Sequence, residues 1–471
     1  PAAERAESVG IIGAGPGGLV TAMVPVLKER GGLWIGWPGT PGDMKQELDH
    51  FAQDQPYGLH PVALNPDCVD GFYTGFGNQV LWPLFHGFQT KCVFEPEFWK
   101  AYDRANEIFA REVAERTDES DYIWIHDYHL INVAQKLKQA GEPRECGFYL
   151  HIPFPPPDLF LKLPWRHELL AGLMDHDLVG FQTEWDRDNF LRTVRTMAPE
   201  ASIAPSGKHC MITQGRNTAR TGAFPISIDF EEFSRMADHV ETNDAKAASN
   251  SQMILGVDRL DYSKGIPERL KAFASVLKNY PELRQRVCLV QVVVPSRESV
   301  AEYQRLKEEI ERLVGEINGE YATLEWTPVQ YLYRSLSRKE RVTKYRQADI
   351  ALITPLRDGM NLVAKEYCAC NNSLDGVLIL SEFAGAAAQL SAEALVVYPC
   401  DIDSVARTIR QACRLPLQER KQRMLAAREK IKAQDITWWL NSFLQAAFGP
   451  AAARQRKRPG IGPGMMTAKS M

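Results

Sequence analysis

The stretch MILGVDRLDYSKGIPERLKAFASVLKNYPELRQRVCLVQVVV, residues 253–294, decides the fold. It opens on an apolar run, Met253–Val257, and closes on a second one, Val287–Val294. The segment between them carries apolar residues at helical spacing, namely Leu270, Phe273, Val276, Leu277 and Tyr280. Such spacing places them on one face of an amphipathic helix. Strand, helix and strand in this order predict a parallel β-sheet covered by helices.

Outward from this stretch, short apolar runs alternate with longer amphipathic runs. The further predicted strands are Tyr122–Ile125, Gly147–His151, Leu178–Gln182, Ile350–Thr354, Val377–Ser381 and Leu395–Tyr398. They form two sets, one ending before about Ile203 and one beginning near Met253, with a domain boundary indicated at Phe224-Pro225. We therefore expect an α/β protein with two doubly wound domains and a cleft between the carboxyl ends of their strands.

Composition and charge exclude several classes of protein. The chain has 471 residues and a formal net charge of -4, so it lacks the basic surplus of a nucleic-acid-binding protein. Its longest apolar stretches, such as Val287–Pro295, fall far short of the ~20 residues that span a bilayer. The first residues do not resemble a signal peptide. We expect no nucleic-acid or membrane partner, and the sequence leaves the oligomeric state open, a homo-oligomer included.

The nine cysteines contain no C-x-x-C pair. This distribution disfavours a disulfide framework or a zinc site, so we expect reduced thiols, a cytoplasmic protein and no cofactor. The last residues, 450–471, read PAAARQRKRPGIGPGMMTAKSM. Their richness in proline, glycine and basic residues predicts a disordered tail.

Cations follow two of the predicted strands. Arg259 and Lys264 come directly after the opening strand of residues 253–294, where they can direct two positive charges at one diphosphate. Preorganised cations of this kind stabilise a departing nucleoside diphosphate without a metal. Arg297 follows the closing strand and can fork onto a phosphate. Ion pairing of Arg259 and Lys264 with Asp258 and Asp261 is the alternative.

The segment TPLRDGMNLVAKE, residues 354–366, combines a strand end, a glycine turn and a helix start near Asn361. Free amides at a helix start attract phosphate, and Gly359 lets the backbone approach a ligand closely. Asp358 can accept hydrogen bonds from sugar hydroxyls, and Glu366 can hold a ribose diol. A simple helix cap followed by a solvated Glu366 is the alternative.

Polar residues also follow two strands in the first half of the chain. The sequence His126-Asp127-Tyr128-His129 follows one strand, and His151 follows the next. Two histidines can indicate a metal, but the usual third ligand pattern is missing. Recognition of sugar hydroxyls by a carboxylate and a histidine is the favoured interpretation.

The chain resembles the trehalose-6-phosphate synthases, which are retaining transferases of the GT-B architecture. The resemblance runs from Gly17 to about Phe448. The stretches that carry it, in family order, are GGLWIGW, FYTGFGNQVLWPLFH, HDYHL, HIPFP, VDRLDYSKGIPERL, SR, WTP, TPLRDGMNLVAKEY and SEFAGAA. It implies two Rossmann-like domains facing each other across a cleft. It also implies retaining, metal-independent transfer of glucose from a nucleotide-glucose, with UDP-glucose favoured, to glucose 6-phosphate.

The resemblance implies roles for individual residues. The implied acceptor-binding residues are Tyr73, Trp82, Asp127 and Arg297, the last on the acceptor phosphate. The implied donor-binding residues are Gly17, Gly18, Arg259, Lys264, Leu336, Asp358, Gly359, Met360, Asn361, Leu362, Val363 and Glu366. Leu336 contacts the nucleobase through its backbone, and Glu366 the ribose. The implied catalytic residues are Arg259, Lys264, Asp358 and His151, the last two near the donor glucose, and Trp37 lies close to the glycine pair.

The implied domains are an acceptor domain at 1–223, a donor domain at 224–435 and a C-terminal helix at 436–449 that crosses back to the first domain. The amino terminus departs from the family, because it lacks the strand ending in Ser-Asn-Arg whose arginine binds the acceptor phosphate. Arg5 is the candidate substitute. The segment Gly13-Ala-Gly15-Pro-Gly17-Gly18 also matches G-x-G-x-x-G, which keeps a dinucleotide-dependent oxidoreductase as a remote alternative.

Two closer alternatives remain open from the sequence. Glucosylglycerol-phosphate synthases share the donor residues and use glycerol 3-phosphate, but they alter the segment that reads FYTGFGNQVLWPLFH here. A catalytically silent regulatory relative is the second alternative, and the unusual amino terminus is its only motive. The identity of the donor base also stays open, because a backbone contact at Leu336 tolerates more than one base.

Overall fold

The computed structural model describes Leu27 and residues 31–39, 57–215, 217–240, 251–298, 300–448 and, for the backbone, 465–470. The chain divides into two compact units. Unit 1 comprises Pro1–Pro225 and Thr437–Met471, and unit 2 comprises Ile226–Ile436. The first change of unit falls directly after Phe224-Pro225. Within the described residues, no helix is long and apolar enough to cross a membrane.

Unit 1 begins with alternating strands and helices. In chain order they are β1 (Leu33–Trp37), β2 (Gly58–Pro61), α1 (Pro66–Val69), a π-helix (Asp70–Leu81), α2 (Trp82–Phe85), a 3-10 turn (Gln89–Lys91), α3 (Pro96–Ala114), β3 (Tyr122–His126), a 3-10 turn (Tyr128–Leu130), α4 (Val133–Gln139), β4 (Glu145–Tyr149), α5 (Pro157–Phe160), α6 (Arg166–Met174), β5 (Leu178–Phe181), α7 (Glu184–Met197), β6 (Ser202–Ser206), β7 (His209–Gln214) and β8 (Asn217–Ala223).

Unit 2 continues the alternation, after which the chain returns to unit 1. The elements are α8 (Phe230–Asp238), β9 (Gln252–Arg259), a 3-10 turn (Tyr262–Lys264), α9 (Ile266–Asn279), a 3-10 turn (Pro281–Leu283), β10 (Val287–Val294), α10 (Ala301–Tyr321), β11 (Val329–Tyr333), α11 (Arg338–Gln347), β12 (Ile350–Ile353), α12 (Leu362–Cys370), β13 (Val377–Ser381), α13 (Ala387–Leu390), β14 (Leu395–Val397), α14 (Ile402–Arg414), α15 (Leu417–Ala433), α16 (Ile436–Phe448) and β15 (Met465–Ser470).

The sheet of unit 2 has six strands in the order β11-β10-β9-β12-β13-β14, and all its pairs are parallel. The order reverses between β9 and β12, which are hydrogen-bonded neighbours. Such a reversal is a topological switch point, where loops at the carboxyl ends diverge and leave room for a ligand. Arg259 ends β9 there, and the loop that carries Asp358 starts there after β12.

The sheet of unit 1 has nine strands in the order β2-β1-β15-β3-β4-β5-β8-β7-β6. Its pairs are parallel from β2 to β8, whereas β6, β7 and β8 form an antiparallel meander. This meander fills the span after Ile203, where the sequence predicts no strand. The tight turns at Gly207 and Gly215 have positive φ values. Much of β6 and β7 is exposed or half-buried, which weakens the apolar pattern that predicts a strand.

The strand β15 differs from the predicted disordered tail at 450–471. It lies between β1 and β3 and pairs in parallel with both. A position between two parallel strands supplies backbone partners on both sides. The composition of residues 450–471 does not reveal that such pairing partners exist, so the sequence predicts a disordered tail.

The return helix α16 packs on the sheet of unit 1. Trp439 stacks on Trp124 with ring centroids 5.0 Å apart, and Phe443 stacks on the same ring at 4.4 Å. Trp439 also meets Tyr149 edge-on at 5.2 Å. Residues of α16 therefore back the carboxyl ends of β3 and β4, where Asp127 and His151 begin their loops.

Candidate functional site

The first cluster of candidate residues lies at the switch point of unit 2. Lys264 follows β9 and Asp358 follows β12, and Lys264 Nζ lies 2.6 Å from Asp358 Oδ2. The same carboxylate oxygen accepts a hydrogen bond from Asn361 Nδ2 at 3.1 Å. The structure thus brings together three side chains that the sequence placed in two separate motifs.

The predicted alternative paired Lys264 with neighbouring aspartates. In the structure these aspartates have other partners. Asp258 pairs with the fully buried Arg269, and Asp261 pairs with Arg297. Arg269 also donates from Nε to Thr354 Oγ1 at 3.0 Å and from Nη1 to Gln291 Oε1 at 3.0 Å. It therefore ties together the ends of β9 and β12 and the middle of β10, which fixes the loops that carry the candidate cations.

The loop Asp358–Met360 is held by the following SEFAGAA segment. The amide of Asp358 donates to Phe383 O at 3.1 Å, the amide of Gly385 donates to Asp358 O at 3.1 Å, and the amide of Ala386 donates to Met360 O at 2.7 Å. A Cβ atom on Gly385 would lie 1.8 Å from Gly359 O. Only glycine permits this approach of two backbones, so residue 385 sets the position of the Asp358–Met360 loop.

Helix α12 starts at the same place. Its N-cap, Asn361, has a φ of 73° in the left-handed region, and its side-chain oxygen accepts from the amide of Ala364. The amides of Leu362 and Val363 belong to the first turn, where an α-helix has no intrahelical acceptor. Both residues are half-buried, and their amides together with the helix dipole would suit an anion bound beside Lys264.

Glu366 follows one turn later on α12 and is 3% exposed. It is not the solvated residue of the alternative interpretation. Burial raises its pKa, while Arg341 and a hydrogen bond from Tyr345 act in the opposite direction. Tyr345 donates its hydroxyl to Glu366 Oε2 at 2.7 Å, and Arg341 Nη1 lies 3.5 Å from the same oxygen.

Arg297 is held by a buried triad. Its Nη1 lies 3.2 Å from Asp261 Oδ2 and 2.5 Å from the hydroxyl of Tyr303, and Tyr303 donates to Asp261 Oδ2 at 3.4 Å. Arg259 belongs to the same surroundings: burial and Asp261 raise the pKa of Tyr303, whereas Arg297 and Arg259 lower it. Arg259 pairs in register with Val294 of β10, which precedes Arg297 by three residues, so the two arginines lie at the ends of neighbouring strands.

Backbone strain coincides with candidate residues. Among the described non-glycine residues, positive φ values occur at Asp127, Gln285, Arg297, Asn361 and Leu374. Three of these, Asp127, Arg297 and Asn361, are sequence-predicted ligands. Unfavourable backbone angles persist where the surroundings enforce them, and they concentrate at ligand-binding sites.

The second cluster lies in unit 1 at the ends of β3 and β4. Asp127 follows β3 with φ 73° and ψ 165°, and its amide donates to Tyr149 O at 2.8 Å. Its Oδ1 accepts from the amide of His151 at 3.3 Å. His151 is further joined to His126, whose Nδ1 lies 3.0 Å from His151 Nε2.

Aromatic rings pack on Tyr128 and His129, the two residues that follow Asp127. Tyr73 stacks on His129 with centroids 5.3 Å apart and ring planes 15° apart, and Trp37 packs against Tyr73 at 5.3 Å. Trp82 is buried and contacts Tyr128 at 5.9 Å. Tyr73 is only half-buried, so one predicted acceptor ligand presents a face to solvent and the other lies largely within the core.

The remaining predicted residues fall in two groups. Leu336 is half-buried and directly precedes the N-cap of α11, Ser337. Arg5, Gly17 and Gly18, with the G-x-G-x-x-G match, lie outside the described residues. In the part of the chain that the structure describes, no group of three or more His, Cys, Asp or Glu side chains is arranged to hold a metal ion.

Sequence reasoning missed the residues behind the ligands, namely Arg269, Tyr303, Arg341 and Tyr345. All four lie on helices, and two of them, Arg269 and Tyr303, lie on helices whose apolar faces are visible in the sequence. A buried tyrosine at such a position reads as core, because its hydroxyl partner lies on a different element. The i, i+4 spacing of Arg341 and Tyr345 is the one local sign that both can reach the same partner.

Comparison with known proteins identifies the family. Residues 4–448 match the sequence profile of glycosyltransferase family 20. The chain belongs to glycosyltransferase family 20. Within this family it is 41% identical over 442 residues to the trehalose-6-phosphate synthase of Mycobacterium avium, covering 92% of this chain and 89% of that protein.

Solved structures of the family show the same fold. A trehalose-phosphate synthase (UDP-forming) from Burkholderia xenovorans, in complex with glucose 6-phosphate, superimposes with a TM-score of 0.86 at 35% identity, covering 92% of this chain and 97% of that one. An E. coli protein bound with UDP-2-fluoro glucose superimposes with a TM-score of 0.84 at 37% identity, covering 92% and 96%. The fold is GT-B, with two Rossmann-like units, and the chain is a glycosyltransferase.

Proposed function

We propose that this chain transfers glucose from a nucleotide-glucose, with UDP-glucose favoured, to glucose 6-phosphate and so forms trehalose 6-phosphate. The observation that carries the proposal is the convergence of Lys264, Asp358 and the first turn of α12 at the switch point of unit 2. Fixed cations and free amides at that point suit a nucleoside diphosphate as leaving group. The family relatives named for this reaction support the same assignment.

Unit 2 takes the donor role. Arg259, Lys264 and the amides of Leu362 and Val363 bind the diphosphate, and Asp358 with its loop receives the glucose. Glu366 accepts hydrogen bonds from the ribose, and the backbone of Leu336 contacts the base. Preorganisation matters here, because groups already fixed by Arg269 and the SEFAGAA segment need no rearrangement as charge develops.

Unit 1 takes most of the acceptor role. Asp127 accepts hydrogen bonds from the hydroxyls of glucose 6-phosphate, and Tyr73 and Trp82 border the sugar. His151 acts on the donor glucose. Arg297 takes the acceptor phosphate through its guanidinium, whose direction Asp261 and Tyr303 fix.

The chemical step breaks the bond between C1 of glucose and the diphosphate and forms a bond from C1 to the anomeric oxygen of the acceptor. The acceptor attacks from the face that the diphosphate leaves, which retains configuration, and its proton passes to a leaving phosphate oxygen. The side chains named above stabilise charge and orient groups, and none is a nucleophile. Arg259 and Lys264 supply the positive charge, so activity should persist in excess EDTA.

A matrix assay tests the proposal. UDP-, ADP- and GDP-glucose are each combined with glucose 6-phosphate or glycerol 3-phosphate, and the products are identified by mass spectrometry. We expect trehalose 6-phosphate from at least one donor, with UDP-glucose the best. Glucosylglycerol phosphate as the main product would show that the acceptor is glycerol 3-phosphate and not glucose 6-phosphate. The absence of any product would favour a catalytically silent relative.

A further inference from the structure

The carboxylate of Glu366 lies in surroundings that oppose its charge. It is 3% exposed, and burial alone raises its pKa. A protonated carboxyl has one oxygen that donates, whereas an ionised one only accepts. A diol offers two O–H donors, so its recognition needs a carboxylate that is both ionised and correctly turned.

Helix α11 supplies the groups that meet this need. Arg341 and Tyr345 lie four residues apart on α11, which places them on one face. Both reach Glu366 Oε2, Tyr345 through its hydroxyl at 2.7 Å and Arg341 through Nη1 at 3.5 Å. The Tyr345 side chain is fully buried, so its ring holds the hydroxyl in one place.

The start of α11 is also fixed. Ser337 and Glu340 form a capping box, in which each side chain bonds the backbone of the other. Leu336, the candidate base contact, directly precedes this cap. The same helix therefore connects the position of the base to the orientation of Glu366.

Both contacts fall on one carboxylate oxygen. Within the described residues, no donor other than Tyr345 and Arg341 contacts the carboxylate of Glu366. Neither contact involves Oε1, so that oxygen can accept a hydrogen bond from a ligand. We propose that Tyr345, assisted by Arg341, is a positioning residue that orients Glu366 toward the ribose diol and makes the donor site selective for ribonucleotides over 2′-deoxyribonucleotides.

This inference rests on the proposed function, because Glu366 must receive the ribose. The test compares UDP-glucose with its 2′-deoxyribose counterpart in the wild type and in Tyr345→Phe, which removes a single oxygen atom. The matched control is Tyr367→Phe. Tyr367 is equally buried and adjacent to Glu366, but its hydroxyl lies 3.2 Å from the backbone carbonyl of Asp349.

In Tyr345→Phe we expect UDP affinity, measured by calorimetry, to fall roughly tenfold, the scale of a hydrogen bond to a charged group. The ratio of kcat/KM for the two donors should fall by a similar factor, because the misdirected carboxylate no longer distinguishes the diol. UDP binding should also weaken on acidification from pH 7 to pH 5.5 more than in the wild type. Tyr367→Phe should keep the wild-type ratio and pH profile, and Arg341→Met should resemble Tyr345→Phe.

The outcomes distinguish the positioning role of Tyr345 from the binding of the ribose by Glu366. If Glu366→Gln loses selectivity for ribose while Tyr345→Phe keeps it, Tyr345 has no positioning role and the proposed function stands. If neither the wild type nor Glu366→Gln distinguishes the two donors, Glu366 does not bind the ribose. That result overturns both this inference and the ribose assignment on which it rests.

Discussion

Lys264 and Asp358 form an ion pair of 2.6 Å between the loops that follow two neighbouring strands, β9 and β12. The side chains are only 10% and 14% exposed. A diphosphate bound at the start of α12 would interact with the ammonium group of Lys264, which also pairs with Asp358. The pair therefore holds the lysine in place, and in the proposed mechanism it links the aspartate that receives the sugar to the lysine that binds the leaving group.

Replacement of Lys264 by methionine should lower kcat by about 10²–10³, the scale for losing one preorganised electrostatic group. The same range applies to Arg259→Ala. Turnover is measured by release of the nucleoside diphosphate. Lys271→Met is the control, because Lys271 also belongs to unit 2 but forms an exposed pair with Glu309. Near-normal rates in both site variants would contradict the proposed mechanism.

Replacement of Gly385 by alanine should lower kcat/KM by at least about tenfold, because the new Cβ would lie 1.8 Å from Gly359 O and small displacements of positioned groups are costly. Gly315→Ala is the control, since a Cβ there meets no atom within 4 Å. Alanine in that helix should stabilise the chain by about 0.5–1 kcal/mol. Steady-state kinetics and thermal unfolding of both variants measure the two effects. Unchanged kinetics in Gly385→Ala would show that this contact does not set the loop.

Lys365 gives a prediction about pH. It is fully buried, it donates to Ile226 O at 2.7 Å, and burial lowers its pKa to about 7. An unfolded lysine has a pKa of about 10.4, so between pH 7 and pH 10 the unfolded chain binds more protons than the folded one. Stability contributed by this group therefore rises with pH across that window, by at most about 5 kcal/mol.

The measurement compares melting temperatures of the wild type and Lys365→Met from pH 6.5 to pH 9.5. The difference, wild type minus variant, should increase as the pH rises. Below pH 7 the cost of burying the charge is fully present, so the variant should compare most favourably there. Parallel curves over the whole range would mean that Lys365 keeps an ordinary pKa in the folded chain.

The hydrogen bond between His126 and His151 should influence catalysis through the ring of His151. One imidazole donates and the other accepts across the 3.0 Å contact, so each fixes the tautomer of its partner. His126→Phe keeps a ring but removes the bond, and we expect kcat to fall up to about tenfold. The ¹⁵N shifts of His151 should change with it. His176→Phe, at another buried histidine of unit 1, should leave both unchanged, and an unaltered His151 spectrum in His126→Phe would contradict the coupling.

The sequence predicted the strands of unit 2 well because β9, β10, β12 and β13 are buried on both faces and read as continuous apolar runs. It did not predict β1, β2 or β11, and the residues of β2 and β11 are mostly half-buried. It also missed the meander β6–β8, which exposes polar residues. For β15 the composition favoured a disordered tail. Its position between β1 and β3, which supplies backbone hydrogen-bond partners on both sides, explains why a strand forms there.

By itself, the sequence determined the α/β class, the family and the loops that carry the candidate site residues, because motifs, glycine turns, helix starts and apolar periodicity are local properties of the chain. Only the tertiary structure decided which charges meet. Lys264 lies beside Asp358, Arg297 beside Asp261, and Tyr345 beside Glu366. Each pair joins elements far apart in sequence, so its formation depends on strand order and helix packing, which no local pattern records.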